Sequence, residues 1–138
     1  MAGQSTSDSN FKASELFDCS HVTALVTGGG TGIGLMISQA LVANGAKVYI
    51  TGRRQEVLDK TVKLYNTGPG SLHSIVGDVS SKEGAMKLAK EMEQRESGGF
   101  QLLVNNAGIA RDDSTKFCEW RDKKSRLSLG QQKLTCEG

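Results

Sequence analysis

The chain has 138 residues, with 17 basic and 15 acidic side chains, 17 glycines and 3 cysteines. This length suits one domain with a real core, and the balanced composition argues against wholesale disorder and against a nucleic-acid-binding surface. Apolar runs reach only four residues, as in Ala40–Ala43, which argues against a membrane helix or a secretory signal. The three cysteines form no CxxC pair. They favour a reducing, cytoplasmic compartment over a disulfide framework or a zinc site.

Strand and helix patterns alternate along the middle of the chain. The first strand, Val22–Thr27, is apolar at nearly every position, as expected for a strand that is buried on both faces. A helix follows it, and Gly45 supplies the stop. The apolar residues of this helix recur with a period of 3.6 and predict its buried face. They are Ile33, Met36, Ile37, Ala40 and Leu41.

The same alternation continues beyond Gly45. Lys47–Thr51 is predicted as the second strand and Gln55–Asn66 as the second helix, ended by the Gly-Pro-Gly sequence that follows. Ser71–Val76 is predicted as the third strand. The buried face of the second helix is predicted from its apolar spacing to be Leu58, Val62 and Tyr65.

A third helix and a fourth strand complete the pattern. Ser80 and Glu83 form a capping box at the start of the helix, and Phe100–Asn105 is predicted as the strand. The buried helix face is predicted to be Ala85, Leu88, Ala89 and Met92. This order of elements predicts an α/β fold, a partial Rossmann-type doubly wound parallel sheet of about four strands and three helices.

Three segments are predicted from composition. Residues 1–21 form a polar arm, residues 22–110 the Rossmann unit and residues 111–138 a charged tail. The arm has three apolar side chains that either dock it onto the body or leave it loose, namely Phe11, Leu16 and Phe17.

A glycine-rich loop, Thr27-Gly-Gly-Gly-Thr-Gly-Ile-Gly34, joins the first strand to the first helix. Glycines let the chain turn sharply and let a pyrophosphate approach the backbone without a Cβ in the way. The helix N-terminus offers free N–H groups and the positive end of its dipole. No Lys-Ser/Thr pair follows the last glycine, so the loop does not match an ATP or GTP P-loop. We expect a dinucleotide site here, with a plain surface turn as the alternative.

The end of the second strand indicates which dinucleotide is bound. About twenty residues beyond such a glycine loop, an acidic residue commonly bonds the adenosine 2′-hydroxyl. This chain instead has Thr51-Gly-Arg-Arg54. A guanidinium makes paired, charge-assisted bonds to phosphate, so Arg53 and Arg54 favour NADP(H) over NAD(H). The alternative is two solvated arginines that open a surface helix.

With these features and two further motifs, the chain resembles the short-chain dehydrogenase/reductase family, and within it the fungal 3-oxoacyl reductase-like members. The family's TGxxxGIG corresponds to Thr27–Gly34, its acidic dipeptide after the third strand to Asp78-Val79, and its NNAG to Asn105–Gly108. The resemblance covers about Val22 to Asp113. It implies an oxidoreductase that interconverts a carbonyl and an alcohol by hydride transfer.

The resemblance also implies roles for individual residues. The pyrophosphate and the nearby ribose would lie against the glycine loop, and the 2′-phosphate against the two arginines. Asp78 would accept a hydrogen bond from the adenine amino group, beside the Val79 backbone. Asn105, Ala107 and Gly108 would brace the fourth strand and border the nicotinamide-side ribose. The implied cofactor-binding residues are Gly28, Thr31, Gly32, Ile33, Gly34, Arg53, Arg54, Asp78, Val79, Asn105, Ala107 and Gly108.

The family's catalytic residues follow the region that the resemblance covers. They are a Ser on the fifth strand and a Tyr-x-x-x-Lys pair, in which the Lys lowers the pKa of the Tyr. The two tyrosines here, Tyr49 and Tyr65, have Arg53 and Pro69 at that spacing. No catalytic or metal-binding residue is therefore assigned. We expect a truncated, catalytically incompetent member without the helices through which the family usually oligomerises.

Residues 111–138 carry seven basic and five acidic side chains, which account for the whole net charge of +2. We expect a disordered or irregular tail there, and a truncated gene model, a retained intron or a frameshift would each explain the change in character. The expected function is the NADP(H)-binding part of an oxidoreductase. The alternatives are a non-catalytic nucleotide-binding or interaction module and a poorly folding fragment. An unpaired fourth strand predicts low stability or self-association.

Overall fold

The computed structural model describes residues 12–109, which form four helices and one four-stranded sheet. The predicted tail and most of the predicted arm, including Phe11, lie outside this range. The helices are α1 (Ala13–Leu16), α2 (Gly32–Ala43), α3 (Gln55–Tyr65) and α4 (Lys82–Arg95). The strands are β1 (Thr23–Thr27), β2 (Lys47–Gly52), β3 (Ser71–Val76) and β4 (Leu102–Val104).

The strands lie parallel in the order β3-β2-β1-β4. The strand β1 is central, with Ala24 opposite Val48 on one side and Leu102 on the other. This confirms the predicted doubly wound, Rossmann-type α/β class. The helix α1 is an addition to the three predicted helices, and β4 is shorter than the predicted strand. Among the described strands β4 lies at an edge, with Leu103 about half exposed (47%).

Apolar side chains alternate between the two faces of the sheet and form two cores. On one face Val26, Val48 and Ile50 pack with residues of α2 and α3. On the other face Leu25, Tyr49 and Ile75 pack with two side chains of α4, Leu88 and Met92. The near-continuous apolar run of the first strand therefore serves both cores, as expected for a strand that helices cover on both sides.

The helix α2 buries a different face from the predicted one. Three residues of the predicted buried face are instead exposed, namely Ile33 (70%), Met36 (67%) and Ala40. The fully buried residues are Gly34, Ser38 and Val42, while Ile37 and Leu41 pack at the margin of the core. Small residues allow the helix to lie close to the sheet, and Ser38 Oγ is satisfied because it donates to Gly34 O at 2.8 Å.

The other two predicted helix faces and one cap also need correction. In α3, Tyr65 is exposed and Thr61 is buried in its place, with Thr61 Oγ1 donating to Gly30 O at 3.0 Å. In α4, the two predicted alanines are exposed. The N-cap of α4 is Ser81, whose Oγ accepts from Gly84 N–H, and not Ser80, which lies in the preceding turn, where its N–H bonds the Asp78 side chain.

The N-terminal segment contacts the end of α2 through its backbone. Leu16 and Phe17 are exposed, so these two side chains do not dock the arm as the sequence allowed. Instead, Cys19 N–H donates to Asn44 O at 2.7 Å, and the Cys19 side chain packs at the core margin. Within residues 12–109, no helix has the length and apolarity that crossing a bilayer requires.

Candidate functional site

All the implied cofactor-binding residues belong to α2 or to segments that follow the C-terminal ends of the four strands. Hydrogen bonds link these strand ends sideways across the sheet. Gly28 N–H donates to Thr51 O at 2.8 Å, and Gly77 N–H donates to Gly52 O at 3.0 Å. In open parallel sheets, ligands bind in the crevice outside this edge. The fold therefore brings the sequence-distant motifs to one side of the molecule.

The glycine loop has the backbone that its sequence predicts. Gly28 and Gly32 adopt positive φ angles of 66° and 56°, which residues with a Cβ rarely adopt. A Cβ on Gly34 would run into the Gly28 carbonyl oxygen and would lie 2.5 Å from Asn106 Nδ2. The start of α2 is thus packed directly onto the loop backbone.

The loop is open on its other side, where a phosphate group could approach. A Cβ on Gly32 would meet nothing within 4 Å. Thr31 is the N-cap of α2, and its side chain makes no capping hydrogen bond. The first N–H groups of a helix have no partner within the helix, and at a helix N-terminus they suit an anion. The residues present therefore fit the pyrophosphate of a dinucleotide.

Thr27 and Asn106 fix the end of β4 to the end of β1. Thr27 Oγ1 donates to Val104 O at 3.2 Å and accepts from the N–H groups of Asn106 and Ala107, both at 3.0 Å. Asn106 Nδ2 donates to Thr27 O at 3.0 Å and to Gly28 O at 3.3 Å. These bonds join the glycine loop to the NNAG segment.

Neither of these two residues has a role among those that the family resemblance implies. The resemblance gives the bracing role to Asn105, Ala107 and Gly108. The Ala107 N–H takes part, but the side chain that makes the contacts is that of Asn106. Asn105 and Gly108 are exposed on the surface. The available signal was the polar Thr27 at the C-terminal end of a strand predicted to be buried, because a buried hydroxyl requires a partner.

The two arginines lie at the end of β2. Arg53 follows the strand directly and Arg54 is the N-cap of α3. Both are exposed, and within residues 12–109 neither forms an ion pair. These two cationic side chains lie at the end of the strand next to β1, and no carboxylate in this range is paired with them. They therefore fit the 2′-phosphate of NADP(H).

Asp78 begins the turn between β3 and α4. Its Oδ1 accepts from Ser80 N–H at 3.0 Å. This bond, the Ser80 side chain and the nearby charge of Arg53 hold the pKa of Asp78 below its ordinary 3.8, so the carboxylate is ionised at neutral pH. An ionised carboxylate accepts hydrogen bonds and donates none. The neighbouring Val79 packs against the α4 core.

The two tyrosines are not at this edge. Tyr49 is buried in β2 and its hydroxyl donates to Glu96 Oε1 at 2.6 Å. Burial, followed by the bond to Glu96, raises the pKa of Tyr49. Tyr65 is the last residue of α3. Within the described part of the chain, no group of three or more potential ligands could hold a metal ion.

Comparisons with known proteins agree with this geometry. The family model described as short chain dehydrogenase matches residues 22–127. The chain is 47% identical over 105 residues to a short-chain dehydrogenase/reductase, PhomF′, of Diaporthe leptostromiformis, covering 76% of this chain and 35% of that protein. It is 42% identical over 87 residues to the rhamnolipids biosynthesis 3-oxoacyl-[acyl-carrier-protein] reductase of Pseudomonas aeruginosa, covering 63% and 33%.

A solved structure of a similar protein has the same fold over the matched region. The Pseudomonas aeruginosa RhlG/NADP active-site complex superposes with a TM-score of 0.64 at 38% identity, over 70% of this chain and 38% of that one. The chain thus spans about a third of the length of the curated relatives it matches.

Proposed function

Because this chain belongs to the short-chain dehydrogenase family, we propose that it is the NADP(H)-binding part of an oxidoreductase that interconverts a carbonyl and an alcohol. The observation that carries the proposal is the open, positive-φ Gly32 at the start of α2, combined with the exposed Arg53 and Arg54 at the end of β2. When bound, the nicotinamide supplies or accepts the hydride.

In this proposal each group of residues binds one part of the cofactor. The Thr31–Gly34 segment binds the pyrophosphate through backbone N–H groups. Arg53 and Arg54 bind the 2′-phosphate. Asp78 and Val79 bind the adenine, while Asn105, Ala107 and Gly108 border the nicotinamide-side ribose. The NADP-bound neighbour at 38% identity supports the choice of cofactor.

Titration of the 138-residue chain with NADPH and NADH tests the proposal. We expect NADPH to bind more tightly, and the Arg53→Ser variant to lose about 10- to 100-fold of that preference, the scale of one lost charged hydrogen bond. Lys60→Ser is the matched control, because it removes one exposed positive charge in the middle of α3. Equal affinities for the two nucleotides in the unmodified chain would overturn the role of the arginines.

The substrate class and the catalytic state form a finer part of the proposal. The 3-oxoacyl reductase relative supports a 3-oxoacyl-type substrate for the oxidoreductase of which we propose this chain to be the NADP(H)-binding part. We propose that the chain itself does not turn over substrate, because its sequence has no Tyr-x-x-x-Lys pair. Consumption of NADPH with a 3-oxoacyl thioester or a simple ketone would contradict this. Nucleotide binding without turnover would instead describe a non-catalytic binding module.

We also propose that residues 22–110 act as the nucleotide-binding unit, between an arm of residues 1–21 and a tail of residues 111–138, in a cytoplasmic protein. Limited proteolysis followed by mass spectrometry tests the division. Cleavage concentrated in the first 21 residues and after residue 110 supports it, and early cleavage inside α2 or α3 would contradict it.

A further inference from the structure

Gly84 lies in the first turn of α4 and against the turn that carries Asp78. A Cβ built on Gly84 would overlap the Asp78 carbonyl oxygen and would lie 2.9 Å from the Asp78 carbonyl carbon. These are backbone atoms, so they cannot move aside as the end of a flexible side chain can. Any side chain at position 84 therefore shifts either the Asp78 turn or the start of α4.

The backbone conformation of Gly84 gives no other reason for a glycine. Its φ angle is not positive, and glycine within a helix is less stable than alanine. The feature that separates Gly84 from an ordinary helical position is the close approach to Asp78. The glycine therefore reflects a packing requirement at the Asp78 turn.

The rest of the turn is held as well. Ser80 N–H fixes the Asp78 side chain through Oδ1 at 3.0 Å. Ser81 Oγ accepts from Gly84 N–H at 3.1 Å and ties the start of α4 to the same turn. Gly77 N–H donates to Gly52 O at 3.0 Å, which links the turn to the end of β2, just before Arg53.

We propose that Gly84 is a positioning residue for adenine recognition: its missing side chain lets α4 close onto the Asp78 backbone and so fixes where the Asp78 carboxylate meets the adenine amino group. The inference rests on the proposed function, because Asp78 contacts adenine only if the chain binds NADP(H). It adds to that function a residue that touches no part of the cofactor.

The test compares two nucleotides that differ only in the base. The 138-residue chain is titrated with NADPH and with its hypoxanthine analogue, in which a keto oxygen replaces the adenine amino group. The ratio of the two affinities reports the Asp78 contact. We expect Gly84→Ala to reduce this ratio about tenfold, the scale of one hydrogen bond to a charged group. In an Asp78→Ala background, Gly84→Ala should leave the ratio unchanged.

Gly98→Ala is the matched control, because a Cβ there meets nothing within 4 Å and its φ is not positive. A folded Gly84→Ala chain with the unmodified ratio would overturn the inference.

A second variant, Ser81→Ala, serves if Gly84→Ala does not fold. It loosens the same turn and should still lower the ratio of the two affinities about threefold, and an unchanged ratio overturns the proposal. An unmodified chain that binds neither nucleotide removes the proposed function itself, whereas tight binding with an unaltered ratio in the variants removes only the role of Gly84.

Discussion

Thr27 and Asn106, 79 residues apart in the chain, are joined by two hydrogen bonds, and Asn106 donates both of them. The Asn106 N–H donates to Thr27 Oγ1, and Asn106 Nδ2 donates to Thr27 O, each at 3.0 Å. The pair lies just beyond the last paired residues of β1 and β4, Val26 and Val104. The backbone of the glycine loop and that of the NNAG segment are therefore held as one unit.

Removing either side of this link should destabilise the chain. Thr27→Val leaves two N–H groups and one carbonyl without the hydroxyl, and Asn106→Ala removes the amide that bonds Thr27 O and Gly28 O. We expect each to lower the free energy of unfolding by about 1–3 kcal/mol in urea titrations. The double variant should lose less than the sum, because both changes break the same link. An additive loss would contradict a shared network.

The two buried threonines at positions 51 and 61 should respond oppositely to valine. Thr51 is 1% exposed and its Oγ1 has no partner among the described residues. Thr51→Val should raise the free energy of unfolding by about 1 kcal/mol, because it removes an unpaired polar atom. Thr61→Val should lower it by a similar amount, because Thr61 Oγ1 bonds Gly30 O. Urea unfolding of both variants decides this, and a loss of stability in Thr51→Val would indicate a missed partner for that hydroxyl.

Gly34→Ala should be costly although alanine is the better helix former. The added Cβ would meet the Gly28 carbonyl and Asn106 Nδ2, so we expect about 1–3 kcal/mol of destabilisation, the usual cost of overpacking. Thermal melting measures the loss. Gly98→Ala, in open space, should stay within about 0.5 kcal/mol of the unmodified chain. Equal melting temperatures for both variants would mean that the start of α2 can move away from the loop.

Acid should weaken the contact between α4 and the sheet. His73 stacks on Tyr49 with ring centroids 5.1 Å apart, and Tyr49 bonds Glu96, which also pairs with Lys47. Burial and then the charges of Lys47 and Arg95 lower the pKa of His73 from 6.5, against the opposing effect of Glu96.

A lowered pKa in the folded state means that the unfolded chain takes up the proton first. The contribution of His73 to stability is therefore present above pH 6.5 and is lost as the pH falls through its folded pKa. Urea midpoints should fall between pH 7 and 5.5, and His73→Phe, which keeps the stacking, should flatten that fall. Glu96, whose pKa lies below 4.5 chiefly because of its bond with Lys47, adds a second loss at lower pH. His21→Gln, an exposed site, is the control, and an equal fall in the His73 variant would contradict the assignment.

Sequence patterns predicted the strands and the turn of the glycine loop well, because buried parallel strands and clustered glycines leave a local signal. The predictions of side-chain environment were weaker. The spacing of Ile33 and Met36 indicated a buried face, whereas close packing on the sheet selected the small Gly34 and Ser38. The role of Asn106 depends on a partner 79 residues away, and no local pattern encodes that pairing. The cap is Ser81 and not Ser80, because Ser80 belongs to the turn held by the Asp78 side chain and the helix begins one residue later than the sequence pattern predicts.

The central position of β1 has a consequence for biosynthesis. Among the four described strands it is the first to leave the ribosome, yet Thr23 N–H bonds Gln101 Oε1 across 78 residues, and β4 is the last of the four to be made. At about 5–20 residues per second, translation reaches β4 several seconds after β1. During that interval one edge of this mostly buried strand has no neighbour, so the nascent chain exposes it to chaperones and to other nascent chains before its own partner exists.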